Sequence, residues 1–531
     1  NEEVTAISFK IDGKNYVFGR GEFVHDREDV FYFRFDSERA LLQKFFEMWD
    51  KESPDIVTGW NIETFDIPYL VRRITSVLGY DFAKRLSPWG LLTETTLKVR
   101  GKEQIKTSIA GVTNLDYLEL YKKFTYSQQE SYRLDNIAHV ELGENKLDYS
   151  EYASLHSLYR NDYQKFIDYN IKDVDLVEKI DDKMKLIDMA LTLAYDAKVN
   201  LHDVFTQVRM WDVIIYNYLR DKGIQVPLIE RQSKSEAYAG AYVKDPQVGL
   251  HKWVVSFDLN SLYPHLIMQY NISPETIVGM SETHPGVDGM LDKSVDTKHL
   301  PAINQTMTPN GALFSRKKHG FLPELLYNMY NDRTIFKKKM LDAQQKFEDT
   351  KDPKYKNQIA SLHNKQMSLK IALNSAYGAL ANQYFAFFSV DLAEAITTSG
   401  QLIIQWSERT INDFMNKTLG TEDEDFVIAM DTDSVYITMD KLVQKVLPEE
   451  TDKNKIIDFL NKSEGMFEKI LADGFDDLAE YTNAFQNKME MGREVIADRG
   501  IWTAKKRYIL NVHDNEGVRL AEPKLKMMGI E

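Results

Sequence analysis

Three aspartates stand where apolar strands end. In FVIAMDTDSVYITM (426–439) Asp431 and Asp433 interrupt an apolar run one residue apart, and in KWVVSFDL (252–259) Asp258 sits at the close of another. Asp and Ser are good turn formers, so a plain hairpin turn is one reading. The other is a metal centre. Mg²⁺ takes oxygen ligands, commonly one or two carboxylates together with substrate phosphates and water. Two such ions about 3.5–4 Å apart activate an attacking oxygen and stabilise a leaving one during an in-line displacement.

The flanks bear on that choice. After Asp258 the chain runs through Leu259, Asn260 and Ser261 into the helical stretch SLYPHLIMQYN. Free backbone N–H groups at such a helix start form an anion site suited to a triphosphate. Residues 331–370 hold ten Lys/Arg against five acids, inside a chain whose formal charge is −15. That local excess is either a solvated helical hairpin or a contact for polyanions. Arg333 and Lys337 are four apart and share a face. Lys370 and Asn374 are also four apart, with Tyr377 a turn further along the same side.

These side chains need a scaffold. Residues 1–185 alternate apolar strands (VTAISFKI, KNYVFG, DVFYFRF, PDIVTGW) with helical patterns (ERALLQKFFEMWDKE, IPYLVRRITSVLGY), the rhythm of an α/β domain. A mixed connector from about 186 to 250 ends in SEAYAGAYVKDP. Residues 320–349 and 354–378 read as an antiparallel pair of long helices. LAEAITTSGQLIIQWSERTINDFMNKTL is a further helix leading to the acidic hairpin, and GIWTAKKRYILNV resumes strand character.

At 531 residues the chain is too long for one ordinary core, and 43% hydrophobic with 28% charged residues is a soluble globular composition. No apolar run of about 18 residues is present, which excludes a membrane-spanning helix, and no signal-peptide pattern is present. Zero cysteines exclude disulfides and thiolate metal sites. The expectation is a cytoplasmic protein that is not secreted and has no membrane partner.

Three segments in fixed order carry a resemblance. DLNSLYP (258–264), KIALNSAYG (370–378) and DTDS (431–434) resemble motifs A, B and C of family B DNA polymerases, written DxxSLYP, KxxxNSxYG and DTDS. AKKRY (504–508) resembles the family's KKRY element, and YAGA (238–241) departs slightly from its YxGG. TGWNIETFDIPY, DYLELYKKF, MDTDSVY and KKRYILNV are most similar to replicative polymerases of T-even-type bacteriophages.

The resemblance implies a fold that is α/β and α+β multidomain. It comprises an RNase H-like 3′→5′ exonuclease domain at 1–186, a connector at 187–229, palm parts at 230–319 and 383–531, and helical-hairpin fingers at 320–382. It implies template-directed transfer of dNMP from dNTP to a primer 3′-OH by two Mg²⁺ ions, which Mn²⁺ can replace. Asp258 and Asp433 are then the principal metal ligands with the Leu259 carbonyl, Asp431 a secondary partner and Glu494 a nearby acid. Ser261 and Leu262 bind phosphate through backbone N–H groups. Arg333, Lys337 and Lys370 grip the triphosphate, and Asn374, Tyr377 and Gly378 face the nucleotide. Lys370 is also expected to protonate the departing pyrophosphate. Tyr263 stacks under the sugar, where a 2′-OH would collide, which makes deoxyribonucleotides the substrates. Tyr238, Gly240, Lys505, Lys506, Arg507 and Tyr508 are expected DNA contacts; read as one strand, the KKRY element puts Lys505 and Arg507 on the face opposite Lys506 and Tyr508.

In the N-terminal part NIETFD (61–66) resembles the second exonuclease motif, with Asp66 as metal ligand. YNIKD (169–173) resembles the third, with Tyr169 and Asp173 on one helix side to orient a water beside a metal. The first motif, a D-x-E strand ahead of EVTAISF, has no counterpart in the sequence, so exonuclease activity is expected to be incomplete. The thumb is expected to be absent as well, the chain being either a fragment or completed by a second polypeptide, and a sliding clamp is the expected partner of the complete enzyme besides primer–template DNA and dNTPs. Alternative readings are a subunit active only when a thumb polypeptide completes it, and a nuclease with a vestigial polymerase. A protein-primed polymerase fits less well, since residues 258–370 leave little space for a priming insertion.

Overall fold

A computed structural model describes residues 2–99, 102–125, 129–226, 238–448 and 452–530. The expected boundary between residues 229 and 230 lies outside the described residues. The chain divides into two compact units, Asn1–Thr206 and Gln207–Glu531.

In the first unit β1 (Ala6–Ile11) turns through Asp12 and Gly13, both at positive φ, into antiparallel β2 (Lys14–Gly19). An Asp-Gly pair is the preferred filling of such a two-residue hairpin. Strand β3 (Val30–Arg34) lies parallel to β2. Helix α1 (Glu38–Glu52) starts where the Ser37 hydroxyl accepts from the Ala40 N–H. It buries Leu41, Leu42, Phe45 and Phe46 against Phe18, Val71 and Ile74, the last two from α2 (Asp66–Leu78). Strand β4 (Ile56–Gly59) pairs in parallel with β5 (Thr113–Asp116) as a separate two-stranded sheet. Helix α3 (Tyr163–Met184) covers β1 and β2 through Ile167 and Ile171.

The second unit is built on one antiparallel sheet of six strands. Strand β6 (Gly249–Leu259) runs into the short helix α4 (Leu262–Gln269). Two long helices follow, α5 (Phe321–Thr350) and α6 (Lys354–Leu380), turned back on each other where Lys351 adopts left-handed φ. After α7 (Val390–Leu419) come β7 (Val427–Asp431), β8 (Ser434–Thr438), α8 (Lys453–Tyr481), β9 (Met491–Ala504), β10 (Arg507–Asn515) and β11 (Val518–Met528). The spatial order β7-β8-β6-β9-β10-β11 places β6 centrally. Alternation along β6 sends Val255 and Phe257 to one face and Val254, Ser256 and Asp258 to the other. On the first face Phe257 meets Phe467 of α8, which also meets Phe414 of α7. On the second, Tyr436, Trp502 and Tyr508 form an aromatic cluster.

The KKRY element is not one strand. Lys505 and Lys506 form the turn between β9 and β10, with Lys506 at φ +61°, so the alternation expected for Lys505 and Arg507 does not hold. A two-residue hairpin turn needs a residue at positive φ, and the run of basic side chains disguised it.

Candidate active site

Sheet register sets the acidic centre. Asp258 pairs across β6–β8 with Ser434, and the Leu259 N–H donates to the Asp433 carbonyl at 2.9 Å. Thr432 between the two hairpin aspartates sits at φ +61°, an uncommon region for a β-branched residue. The Asp433 N–H closes a three-residue turn by donating to the Asp431 carbonyl at 2.7 Å. Local strain of this kind persists only where the surroundings enforce it. Here the Tyr242 carbonyl accepts from the Thr432 N–H at 3.0 Å.

The turn separates the two carboxylates. Burial, then the charge of Asp258, push the Asp433 carboxyl up to about 7. Burial likewise raises Asp258, against the Ser434 hydroxyl donating to Asp258 Oδ1 at 2.6 Å. Asp431 instead faces Lys506, Oδ1 to Nζ 3.3 Å. Glu494 arrives by a β-bulge: Arg493 opposes Phe257 and Val495 opposes Ser256, which leaves Glu494 as the extra residue. Ser256 Oγ donates to Glu494 Oε2 at 3.3 Å and Lys526 Nζ to Oε1 at 2.7 Å. Behind the bulge the buried Arg493 guanidinium is clamped by Asp514 at 2.8 Å and Glu464 at 2.9 Å.

The cationic face lies on α5 and α6. Lys370 is half-buried, and burial, then the neighbouring charges of Arg333 and Lys337, lower its pKa, so the three cations of α5 and α6 converge. Arg333 Nε is buried with no hydrogen-bond partner. Asn374 is exposed, and a Cβ on Gly378 would press on the Gln207 amide. Ser261 takes left-handed φ +47° as N-cap of α4, whose first residue, Leu262, is buried. The Tyr263 and Tyr377 rings stand 4.7 Å apart, and the Tyr238 hydroxyl lies 3.3 Å from that of Tyr377. The Gly240 carbonyl accepts from Gln401 at 2.5 Å. Lys505, Lys506 and Arg507 are exposed, whereas Tyr508 is buried with its hydroxyl 2.8 Å from that of Tyr436.

The first unit holds a second acidic site. A cleft of about 1610 Å³ is walled by the edges of β1 and β4 and by α2 and α3, with Asp66, Tyr169 and Asp173 in its lining. Asp66 is open to the cleft, yet the enclosing walls push its carboxyl up to about 6, and the charges of Asp116, then Asp173, add to the effect. Lys146 Nζ donates to Asp173 Oδ2 at 2.6 Å and to the Tyr169 hydroxyl at 3.1 Å, while Asp173 Oδ1 is buried without a partner. Asp116 organises the turn ahead of Asp66 by accepting from the N–H groups of Asn61 and Glu63 at 3.0 and 3.1 Å. Lys146, Asp116, Ser434 and Lys526 escaped sequence reasoning. Two of them carried a signal there, Ser434 as the last residue of DTDS and Asp116 as the first of DYLELYKKF.

Among the described residues no group of three or more His, Asp or Glu gathers as a ready metal cage. Two desolvated, mutually repelling carboxylates are nonetheless a donor set that suits a hard dication completed by substrate phosphates and water.

The family model for DNA polymerase family B matches residues 199–449, and that for its exonuclease domain matches residues 1–137. The chain belongs to DNA polymerase family B. It is 37% identical to the DNA-directed DNA polymerase of Escherichia phage RB69 and 35% identical to that of Enterobacteria phage T4, over 95% and 94% of this chain. A DNA polymerase delta catalytic subunit of Arabidopsis thaliana is 27% identical over 76% of the chain and 36% of its own length. The chain spans 61% of the length of the two phage polymerases. Among the described residues no helix is long and apolar enough to cross a membrane.

Proposed function

We propose that this chain is a DNA-directed DNA polymerase that transfers dNMP from dNTP to a primer 3′-OH. What supports the reading is the convergence of Asp258, at the end of β6, and Asp433, in the turn before β8, together with the gathering of Arg333, Lys337 and Lys370 on α5 and α6. In this reading the six-stranded sheet is the palm and α5–α6 the fingers.

Asp258, Asp433 and the Leu259 carbonyl would hold Mg²⁺, two ions in all and replaceable by Mn²⁺, with Glu494 and Asp431 flanking. Bound there, the metal supplies Lewis-acid charge neutralisation and a lowered pKa for the attacking hydroxyl. Arg333, Lys337 and Lys370 grip the triphosphate oxygens, and the Ser261 and Leu262 N–H groups approach from the start of α4. Positioning of this kind supplies most of the catalysis in phosphoryl-type transfers. The lowered pKa of Lys370 suits it to release a proton to the leaving pyrophosphate. Tyr263 gates the sugar, while Asn374, Tyr377 and Gly378 face the nucleotide. Tyr238, Gly240, Lys505, Lys506 and Arg507 line the DNA path, where exposed cations contact backbone phosphates without reading sequence. Tyr508 acts from beneath, through its contact with Tyr436.

The first unit is proposed as a 3′→5′ proofreading exonuclease, with Asp66 and Asp173 as metal ligands and Tyr169, held by Lys146, orienting the water. A sliding clamp is the proposed protein partner.

Extension of a primer–template by the purified protein with dNTPs and Mg²⁺, tested also with candidate thumb polypeptides, checks this function. Template-directed addition supports it, and no addition under any of these conditions overturns it.

A further inference from the structure

Gly400 lies within α7, a 30-residue helix, and is buried. Glycine in a helix interior is disfavoured relative to alanine. Its φ is not positive, so backbone geometry does not call for glycine here. Packing does. A Cβ at Gly400 would stand 3.3 Å from Tyr263 Cε1 and 3.6 Å from both Leu262 Cδ2 and Leu266 Cδ1. The first distance is closer than side-chain carbons normally pack, so the Tyr263 ring would have to give way. The Tyr377 ring, its centroid 4.7 Å away and its hydroxyl 3.3 Å from that of Tyr238, limits retreat in that direction. Movement of helix α7 away from the ring would strain the bonds of neighbouring Gln401 to the Gly240 carbonyl at 2.5 Å and of Trp406 Nε1 to the Gly474 carbonyl at 2.8 Å. The Tyr263 hydroxyl feels the charge of Asp433, so a displaced ring shifts at the edge of the acidic centre.

We propose that Gly400 is a positioning residue for sugar selection: its missing side chain lets the Tyr263 ring lie back against α7 at the depth that admits a deoxyribose. The inference rests on the reading of Tyr263 as the sugar gate. An alanine there advances the ring into the deoxyribose space, so nucleotide binding weakens while the chemistry is left intact, and a ribose is excluded still further.

The test is single-nucleotide incorporation of dTTP and UTP by wild type, Gly400→Ala, Tyr263→Val and the double variant. Gly400→Ala is expected to raise KM for dTTP roughly three- to tenfold, the factor that an off-rotamer side chain costs, with kcat within about twofold. In the Tyr263→Val background the same substitution leaves KM unchanged. Gly400→Ser is expected to exceed Gly400→Ala. Equal effects in both backgrounds, or none in either, overturn the proposal. Lower thermal stability of Gly400→Ala only while Tyr263 is present supports the same contact, and failure to fold in both backgrounds overturns it. If Tyr263→Val leaves UTP discrimination unchanged, the gate reading itself falls and this inference with it, which separates the two failures.

Discussion

Replacing Asp433 by asparagine keeps the shape and removes the charge that the hairpin tip holds at a cost. The Asp433 carboxyl rises from its ordinary 3.8 to about 7, by burial first and by Asp258 second. At 1.36 kcal/mol per tenfold, that gap corresponds to about 4 kcal/mol of destabilisation once the group is fully ionised. Because Asp258 and Asp433 share their proton affinity, a gain of roughly 2–4 kcal/mol is expected for Asp433→Asn in the absence of divalent metal. The sign follows from linkage: the folded state binds this proton more tightly than the unfolded chain. Wild-type stability therefore falls as pH climbs from about 4 through 7, and the asparagine variant lacks that loss. The two proteins should match near pH 4, diverge across the interval and differ by a constant amount above about pH 8. Denaturant unfolding followed by tryptophan fluorescence, with EDTA present, measures the difference. No gain at pH 8, or a gain independent of pH, would refute the reasoning.

Other expectations follow from the same contacts. Ser434→Ala removes the 2.6 Å bond that favours ionised Asp258 and should move the acid limb of the extension pH profile upward by up to about one pH value. Lys370→Leu should cut the single-turnover rate and alter its pH dependence; an unchanged rate and profile remove Lys370 from the mechanism. Lys146→Met leaves Asp173 without its cation and should raise the Asp173 pKa, seen by NMR titration of the carboxyl, with about 1–3 kcal/mol less stability at pH 8. Trp211→Phe breaks the buried Trp211–Ser375 hydrogen bond at 3.0 Å and should cost about 1–3 kcal/mol in unfolding free energy.

The acidic hairpin, its Asp258 partner strand and the two long basic helices were legible because local pattern fixes them: a strand break at DTDS, a 3.6-residue face on each helix. The expected helices at 320–349 and 354–378 are α5 and α6 within two residues. What escaped was non-local. Nothing in PDIVTGW marks β4 as the parallel partner of a strand more than fifty residues later. Nothing local tells that Lys146 reaches Asp173, or that a bulge delivers Glu494 to Lys526. KKRY failed for the opposite reason: a run of basic residues flanked by apolar strand residues read as one continuous strand, and the tight turn at Lys506 carries no glycine to announce it.

Single-turnover primer extension by Asp258→Asn and Asp433→Asn, beside wild type with Mg²⁺, tests the central claim most directly. Each substitution is expected to slow nucleotide addition by at least about a thousandfold while primer–template binding stays within about threefold. Extension by either variant within tenfold of wild type would contradict the account.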